Sequence, residues 1–304
     1  MEKDFSGIVG APVTPFTKDN RVDYDTFAKQ VNFLIKNGAS VIAHPMHIGE
    51  SINMTIEERK ELARCLAEAA GGRVPTFVHV SFASTDQSAD LAEHSRKVGA
   101  TGIVLLAPYY WRPNRDAIID HFMTVAGGLD GKLIIYNNVK ATNVEISPDI
   151  LTELFDRLPN FVGLKDASFQ MEYFTEICRL NVATGKHIAI YTGVEYLLTS
   201  MPVGGRGCFS ACSEVAPRLV LSLYKACAAM DDVEKARSLQ YKVRLLLSLL
   251  MQNYPATIKY AMELMGRPVG ETRKPILPIT SEAKAHVQET LKSLGIMDTE
   301  PRGW

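Results

Sequence analysis

Cysteine is scarce in this chain, and the few present are not arranged for chemistry. There are five, Cys65, Cys178, Cys208, Cys212 and Cys227, an odd number with no zinc-type spacing. So few in 304 residues argue against a disulfide framework and for reduced core thiols in a cytoplasmic protein. Excess charge is missing too. Thirty-three basic residues oppose thirty-four acidic ones, for a net charge of −1. That balance gives no electrostatic case for nucleic acid or an anionic membrane as partner. No apolar run approaches the roughly 20 residues of a membrane span. The opening MEKDFSGIVG has no basic region followed by an apolar core, so no secretory signal is read there. Low-complexity segments and fixed sequence periods are also lacking. What remains is 46% apolar and 22% charged, the balance of a globular protein, at a length that fits one α/β barrel.

Short apolar runs alternate with amphipathic helical patterns along most of the chain. The first run is Gly7 to Phe16, ending in a proline-stiffened loop. Asp23 reads as the N-cap of a helix through Lys36 that gathers Phe27, Val31, Leu34 and Ile35 on one face. Val41 to His44 is a second strand, followed by a turn over 45–51. Thr55 and Glu58 form a capping box. Further strands are expected at Pro75–Val80, Gly102–Leu106, Lys132–Tyr136, Phe161–Lys165, His187–Thr192 and Gly207–Ser210. Between them Ser84 and Gln87 read as a capping pair, and Ser147-Pro148 as an N-cap with proline at N1. Near-continuously apolar strands are those of a parallel sheet buried on both faces. Eight strand–helix units therefore predict a (β/α)8 barrel over residues 1–230. Helical patterns at 233–250, 258–265 and 281–294 predict an extension over 231–304, packed on the barrel.

In such barrels the chemistry sits where strands end. Those ends offer His47, Gly49, Glu50, Ser51, Tyr109, Tyr110, Tyr136, Asn137, Lys165, Thr192, Gly193, Phe209 and Ser210. Lys165 closes the apolar run Phe161-Val-Gly-Leu. A buried lysine can lose its proton near neutrality and attack a carbonyl as the free amine, forming a Schiff base. The alternative is a lysine that snorkels to the surface at a strand end. A tyrosine on the neighbouring strand can shuttle protons for such an amine. His44, His79, His94, His121 and His187 show no metal-ligand spacing; His79 lies inside a strand and can face the barrel lumen. Gly204-Gly-Arg-Gly207 precedes a strand and lacks the phosphate-loop pattern.

Taken together, Val13-Thr-Pro-Phe16, Gly49-Glu50-Ser51, Pro108-Tyr-Tyr110 with Arg112-Pro113, Ile135-Tyr-Asn137, Gly163-Leu-Lys-Asp166, Gly204–Gly207 with Ser210, and Lys259 with Pro275-Ile-Leu-Pro278 resemble the N-acetylneuraminate lyase and dihydrodipicolinate synthase superfamily. The resemblance covers nearly the whole chain. It implies a class I lyase acting on pyruvate or another 2-oxo acid, without metal or organic cofactor. Lys165 would form the imine and Tyr136 would be the general acid and base. Tyr110 would be lent across a subunit interface in a homotetramer of tight dimers. The 2-oxo acid carboxylate would sit at the turn of Ile48 and Gly49. His47, Glu50, Asn137, Gly193 and Phe209 complete the expected substrate contacts.

Two departures bear on the substrate. Where family members often carry Gly-Thr-Thr or Gly-Ser-Thr before Gly-Glu, this chain has Met46-His47-Ile48. The hydroxyl that relays protons between the tyrosines is thus replaced by His47, an imidazole that could carry protons, bind a different substrate group or fill space, and the hydroxyl that helps bind the carboxylate is replaced by Ile48. The arginine that greets the semialdehyde carboxylate in the lysine-pathway synthase is absent near Ala141, which argues against that activity, and Lys140 reads as a solvated loop charge. Tyr109-Tyr110-Trp111 would suit an apolar or aromatic aldehyde, with burial of Trp111 at a subunit contact as the equal alternative. The leading expectation is reversible aldol cleavage or condensation. A hydro-lyase acting on a 2-oxo-3-deoxy sugar acid through the same imine is the alternative. A non-catalytic 2-oxo acid binding protein is the third.

Overall fold

The computed structural model describes residues 5–304. Eight parallel strands close into a barrel in chain order. They are β1 (Gly7–Gly10), β2 (Val41–His44), β3 (Thr76–His79), β4 (Gly102–Leu106), β5 (Lys132–Asn137), β6 (Phe161–Asp166), β7 (Ala189–Thr192) and β8 (Gly207–Ser210). This is the (β/α)8 fold with additional C-terminal helices. Side chains alternate along each strand. Val41 and Ala43 pack with the lumen residues Val9, Phe77, Val104, Ile134 and Phe209. Ile42, Val78, Ile103, Leu133 and Leu164 pack with the surrounding helices instead. Both faces are covered, which is why the strands read as unbroken apolar runs. Closure of β8 on β1 requires a glycine at 207. Its φ is +155°, and a Cβ there would lie 1.8 Å from the Gly7 carbonyl oxygen.

The barrel helices are α1 (Tyr24–Lys36), α2 (Ile56–Ala70), α3 (Thr85–Lys97), α4 (Arg115–Ala126), the short α5 (Val139–Thr142), α6 (Pro148–Arg157), α7 (Met171–Ala183), the short α8 (Leu197–Ser200) and α9 (Pro217–Ala229). Asp23 caps α1 by accepting from Thr26 N–H at 2.9 Å, and the Thr55/Glu58 capping box is complete. Three local expectations change. β1 stops at Gly10 because Pro12 has no N–H to donate; the Val13 backbone pairs with the Gln30 side chain, at 3.1 and 3.0 Å. Ser84 makes no side-chain cap. Ser88 Oγ takes over, donating to the Ser84 carbonyl and accepting from Phe82 N–H, both at 3.0 Å. Ser147 spends its hydroxyl on Asp149, so only Pro148 marks the start of α6 as read. The turn after β2 is two consecutive single-turn 3-10 helices, His47–Gly49 and Ser51–Asn53.

The C-terminal helices α10 (Val233–Leu250), α11 (Ala256–Leu264), α12 (Ser281–Ser293) and α13 (Ile296–Thr299) share their apolar core with the barrel lumen. Among the described residues no helix is long and apolar enough to cross a membrane. The tail then returns to the barrel. The Glu300 carboxylate accepts the backbone N–H groups of Arg218 and Leu219, both at 2.8 Å, at the start of α9. It thereby satisfies donors that a helix start leaves open, at the positive end of the dipole. We expect Glu300→Ala to lower stability by about 1–2 kcal/mol, read as a lower urea midpoint. An unchanged midpoint would show that the tail does not hold α9.

Candidate active site

Strand register brings the central pair together. Tyr136 on β5 is the direct neighbour of Lys165 on β6, and both face the lumen. The Lys165 Nζ lies 4.0 Å from the Tyr136 ring centroid and 4.5 Å from that of Phe209 on β8. Lys165 is 5% exposed, and among the described residues it has no carboxylate partner. The adjacent Asp166 faces the other way and accepts from Asn137 Nδ2, Ser168 N–H and Ser168 Oγ, each at 3.0 Å. Burial alone lowers the Lys165 pKa to about 7. The Tyr136 hydroxyl accepts from Asn138 Nδ2 at 3.0 Å, and burial pushes its pKa well up. His79 does face the lumen, its ring 6.1 Å from that of Tyr136. Its Nδ1 donates to the Pro45 carbonyl at 2.9 Å. Burial and Arg59 hold its pKa well below the usual imidazole value.

Above this pair opens a cavity of about 380 Å³. His47 and Ile48 enter it from the turn after β2, Asn138 and Lys140 from the end of β5. Phe169 follows β6, Gly193 and Val194 follow β7, and Phe209 and Ser210 end β8. Met251 and Tyr254 reach in from the loop between α10 and α11. Among the described residues no carboxylate lines the space. The His47 ring stands exposed in the mouth, 5.4 Å from the Tyr254 ring. Desolvation, with a smaller contribution from Lys165, lowers its pKa below 6.5.

Three residues expected at the site, Gly49, Glu50 and Asn137, lie elsewhere, and Tyr110, expected to serve a neighbouring subunit, stands outside the cavity of its own chain. The Gly49 N–H is spent on the Met46 carbonyl at 2.9 Å, inside the 3-10 turn. The Glu50 side chain points to the C-terminal segment, pairing with Lys259 Nζ at 2.8 Å and accepting from Arg273 N–H at 2.9 Å. Asn137 is fully buried between Asp166 and Ile146 N–H. Tyr110 is 80% exposed beside Trp111, outside the cavity. Lysine, tyrosine and a carboxylate-free pocket at the strand ends are thus brought together by the fold.

A profile of the dihydrodipicolinate synthetase family matches residues 4–294. The chain belongs to the dihydrodipicolinate synthetase family. It is 30% identical over 295 residues to the 4-hydroxy-tetrahydrodipicolinate synthase of Methanococcus vannielii, covering 96% of this chain and 99% of that one. Among solved structures it superposes on YagE, an E. coli K12 prophage protein of this family in complex with pyruvate. The TM-score is 0.91 at 27% identity, covering 96% of this chain and 99% of that one. It also superposes on dihydrodipicolinate synthase DapA-2 of Bacillus anthracis, with a TM-score of 0.89 at 32% identity, over 98% and 99% of the two chains.

Within this family fold, sequence reasoning missed Asn138, Phe169, Met251 and Tyr254. The first two lie one and three residues beyond the ends of β5 and β6, so a wider window would have caught them. Met251 and Tyr254 lie more than forty positions beyond the last strand, where strand-end reasoning carries no signal. Lys140 is solvated, as read, yet also rims the cavity, with Nζ 4.9 Å from the Phe169 ring centroid.

Lys259 is 3% exposed, and burial lowers its pKa to about 8 against the opposing pull of Glu50. We expect Lys259→Met to leave Glu50 buried and unpaired, lowering stability by about 3–5 kcal/mol in chemical denaturation. A loss below about 1 kcal/mol would mean the turn does not depend on this pair. Lys165 makes the opposite case. Holding its amine near pKa 7 rather than 10.5 costs of the order of 4 kcal/mol at pH 7. Lys165→Met should therefore raise the thermal midpoint at pH 7 by roughly 2–6 °C. The unfolded chain binds the extra proton between pH 7 and 10.5, so the gain should shrink as pH rises through that window. A midpoint that falls, or a gain that grows with pH, would contradict the burial cost.

Proposed function

We propose that this protein is a Schiff-base lyase that reversibly joins or cleaves a 2-oxo acid, pyruvate or a close analogue, and an aldehyde. The observation that carries the reading is an unpaired, buried amine at Lys165 beside the Tyr136 hydroxyl, under a cavity of about 380 Å³. The neutral amine attacks the ketone carbon. Tyr136 supplies a proton to the departing hydroxyl and later takes or gives the proton at the reacting oxygen or carbon. The iminium is an electron sink, so the carbanion at C3 is held as an enamine. Ile48, His47, Gly193 and Phe209 are read as walls for the 2-oxo acid. Gly49, Glu50 and Asn137 shape the turn and strand end behind them.

The lining favours an aldehyde with apolar surface over a polyhydroxylated sugar acid. Met251, Phe169, Val194, Ile48 and Phe209 offer it no hydrogen bonds, and beside Lys165 the polar groups are Asn138, Lys140, Ser210, His47 and the two tyrosines. The name of the Methanococcus relative supports a second reading, synthesis of 4-hydroxy-tetrahydrodipicolinate, with Lys140 next to Ala141 as a cation placed for a semialdehyde carboxylate. We also read the barrel (1–230) and extension (231–304) as one working unit in a cytoplasmic homotetramer. The exposed Tyr110–Trp111 pair, at 80% and 75%, supports a subunit contact through which Tyr110 approaches a neighbouring site.

Incubation with pyruvate and borohydride should leave a reduced pyruvate-sized adduct, seen by intact mass, on the parent protein and none on Lys165→Ala. The trapping rate should rise with pH through about 7, as the amine loses its proton. Aldehyde panels then separate the readings: turnover with aromatic or apolar aldehydes supports the first, turnover restricted to the lysine-pathway semialdehyde the second. Failure to trap any 2-oxo acid on a folded protein would overturn both.

A further inference from the structure

We propose that Tyr254 carries protons between Tyr136 and His47, so that one subunit holds its own path from the imine to solvent. The inference rests on the Schiff-base reading above and adds a residue from the C-terminal extension to it.

Tyr136 is 3% exposed, and its oxygen already accepts from Asn138. A proton that Tyr136 takes from carbon must therefore leave through a neighbour or be handed back. Tyr254 lines the same cavity, and its ring packs on His47 with centroids 5.4 Å apart and planes tilted by 53°. Among the described residues its hydroxyl has no hydrogen-bond partner, so it is available to a relay. His47 completes the sequence, because its ring is exposed at the mouth. Tyr110, the relay tyrosine that family resemblance suggests, lies outside this cavity in the same chain.

The charged and titratable groups facing the path favour concerted transfer. Burial raises the Tyr254 pKa well above that of a free phenol, and Tyr136 and Glu195 add to the rise. Neither tyrosine is then stable as a phenolate, so a proton entering one leaves the other in the same event. Desolvation, with a smaller contribution from Lys165, lowers the His47 pKa and favours the neutral ring, and the same burial holds for His79, the other imidazole of the lumen. The step balances. The C3–H bond of the iminium breaks and its electron pair forms the C2=C3 bond of the enamine, while the C=N pair returns to nitrogen. The proton lands on the Tyr136 oxygen as the Tyr136 proton passes to Tyr254. The Tyr254 proton passes to the His47 ring, and the imidazolium releases it to water.

Exchange of the pyruvate methyl protons in D2O, followed by NMR, reads this path without any aldehyde. With the relay cut, Tyr136 keeps its own proton and cannot take one from carbon, so deuterium enters only slowly. Tyr254→Phe should slow exchange by about 10²-fold while the pyruvate concentration that half-saturates borohydride trapping stays within about twofold. The trapped adduct itself reports a folded site. His47→Gln should give a similar loss, and the double variant should be no slower than the slower single, as groups acting in series require. Unchanged exchange in Tyr254→Phe, a parallel loss of exchange and trapping, or additive losses in the double variant would each overturn the relay and leave the Schiff-base reading intact. A parent protein that traps no 2-oxo acid would overturn both.

Discussion

The ammonium form of Lys165 is disfavoured because burial strips it of water and, among the described residues, no carboxylate pairs with it. Tyr136 and Phe209 flank the amine at 4.0 and 4.5 Å, and Asp166, next in sequence, is turned outward by strand alternation. A carboxylate on the lumen side would hold the lysine charged and silent. Its absence lets desolvation act alone, and desolvation lowers a lysine pKa. The rest of the candidate site depends on this imbalance: Tyr136 is buried enough to stay protonated, and His79 stays neutral beneath it.

A site made from an uncompensated amine needs a frame that does not relax around it. Much of that frame comes from the far end of the chain. Glu50 follows the turn that carries His47 and Ile48, and it is anchored by Lys259 and by Arg273 N–H. The Arg273 guanidinium reaches Glu58 on α2 with two contacts at 2.6 Å and the Asn53 carbonyl at 3.1 Å. Buried pairs of this kind are weak evidence for net stability but leave a costly unpaired charge when one partner is lost. Here they tie the turn after β2 to the segment after α11. Arg267 does the same lower down, bonding the carbonyls of Glu214 and Pro301 at 3.0 and 2.7 Å.

The extension also alters the chemistry available at the mouth. Met251 and Tyr254 narrow the cavity with an apolar and an aromatic side chain, and Tyr254 meets His47 across it. The position read from the sequence as having lost a hydroxyl is occupied by an imidazole with the Tyr254 ring beside it. The replacement is a joint one, made by residues about two hundred positions apart.

Local order was legible in the residues. The capping pair Thr55/Glu58, the N-cap Asp23 and the apolar runs at Val41–His44 and Gly102–Leu106 encode their own conformation, because caps and strand burial act over a few positions. Lys165 and Tyr136 were legible for the same reason: each ends an apolar strand, and barrels gather strand ends at one face. Ser84 could not be told from Ser88 as the residue that satisfies the local backbone, since both stand within a turn of the same helix start. Side-chain direction across the mouth was decided by tertiary structure alone. Glu50 leaves the cavity because Lys259 waits outside it, and Tyr254 enters because the loop between α10 and α11 folds back over the barrel. Such contacts join residues far apart in the chain, and no local pattern of hydrophobicity or charge specifies them.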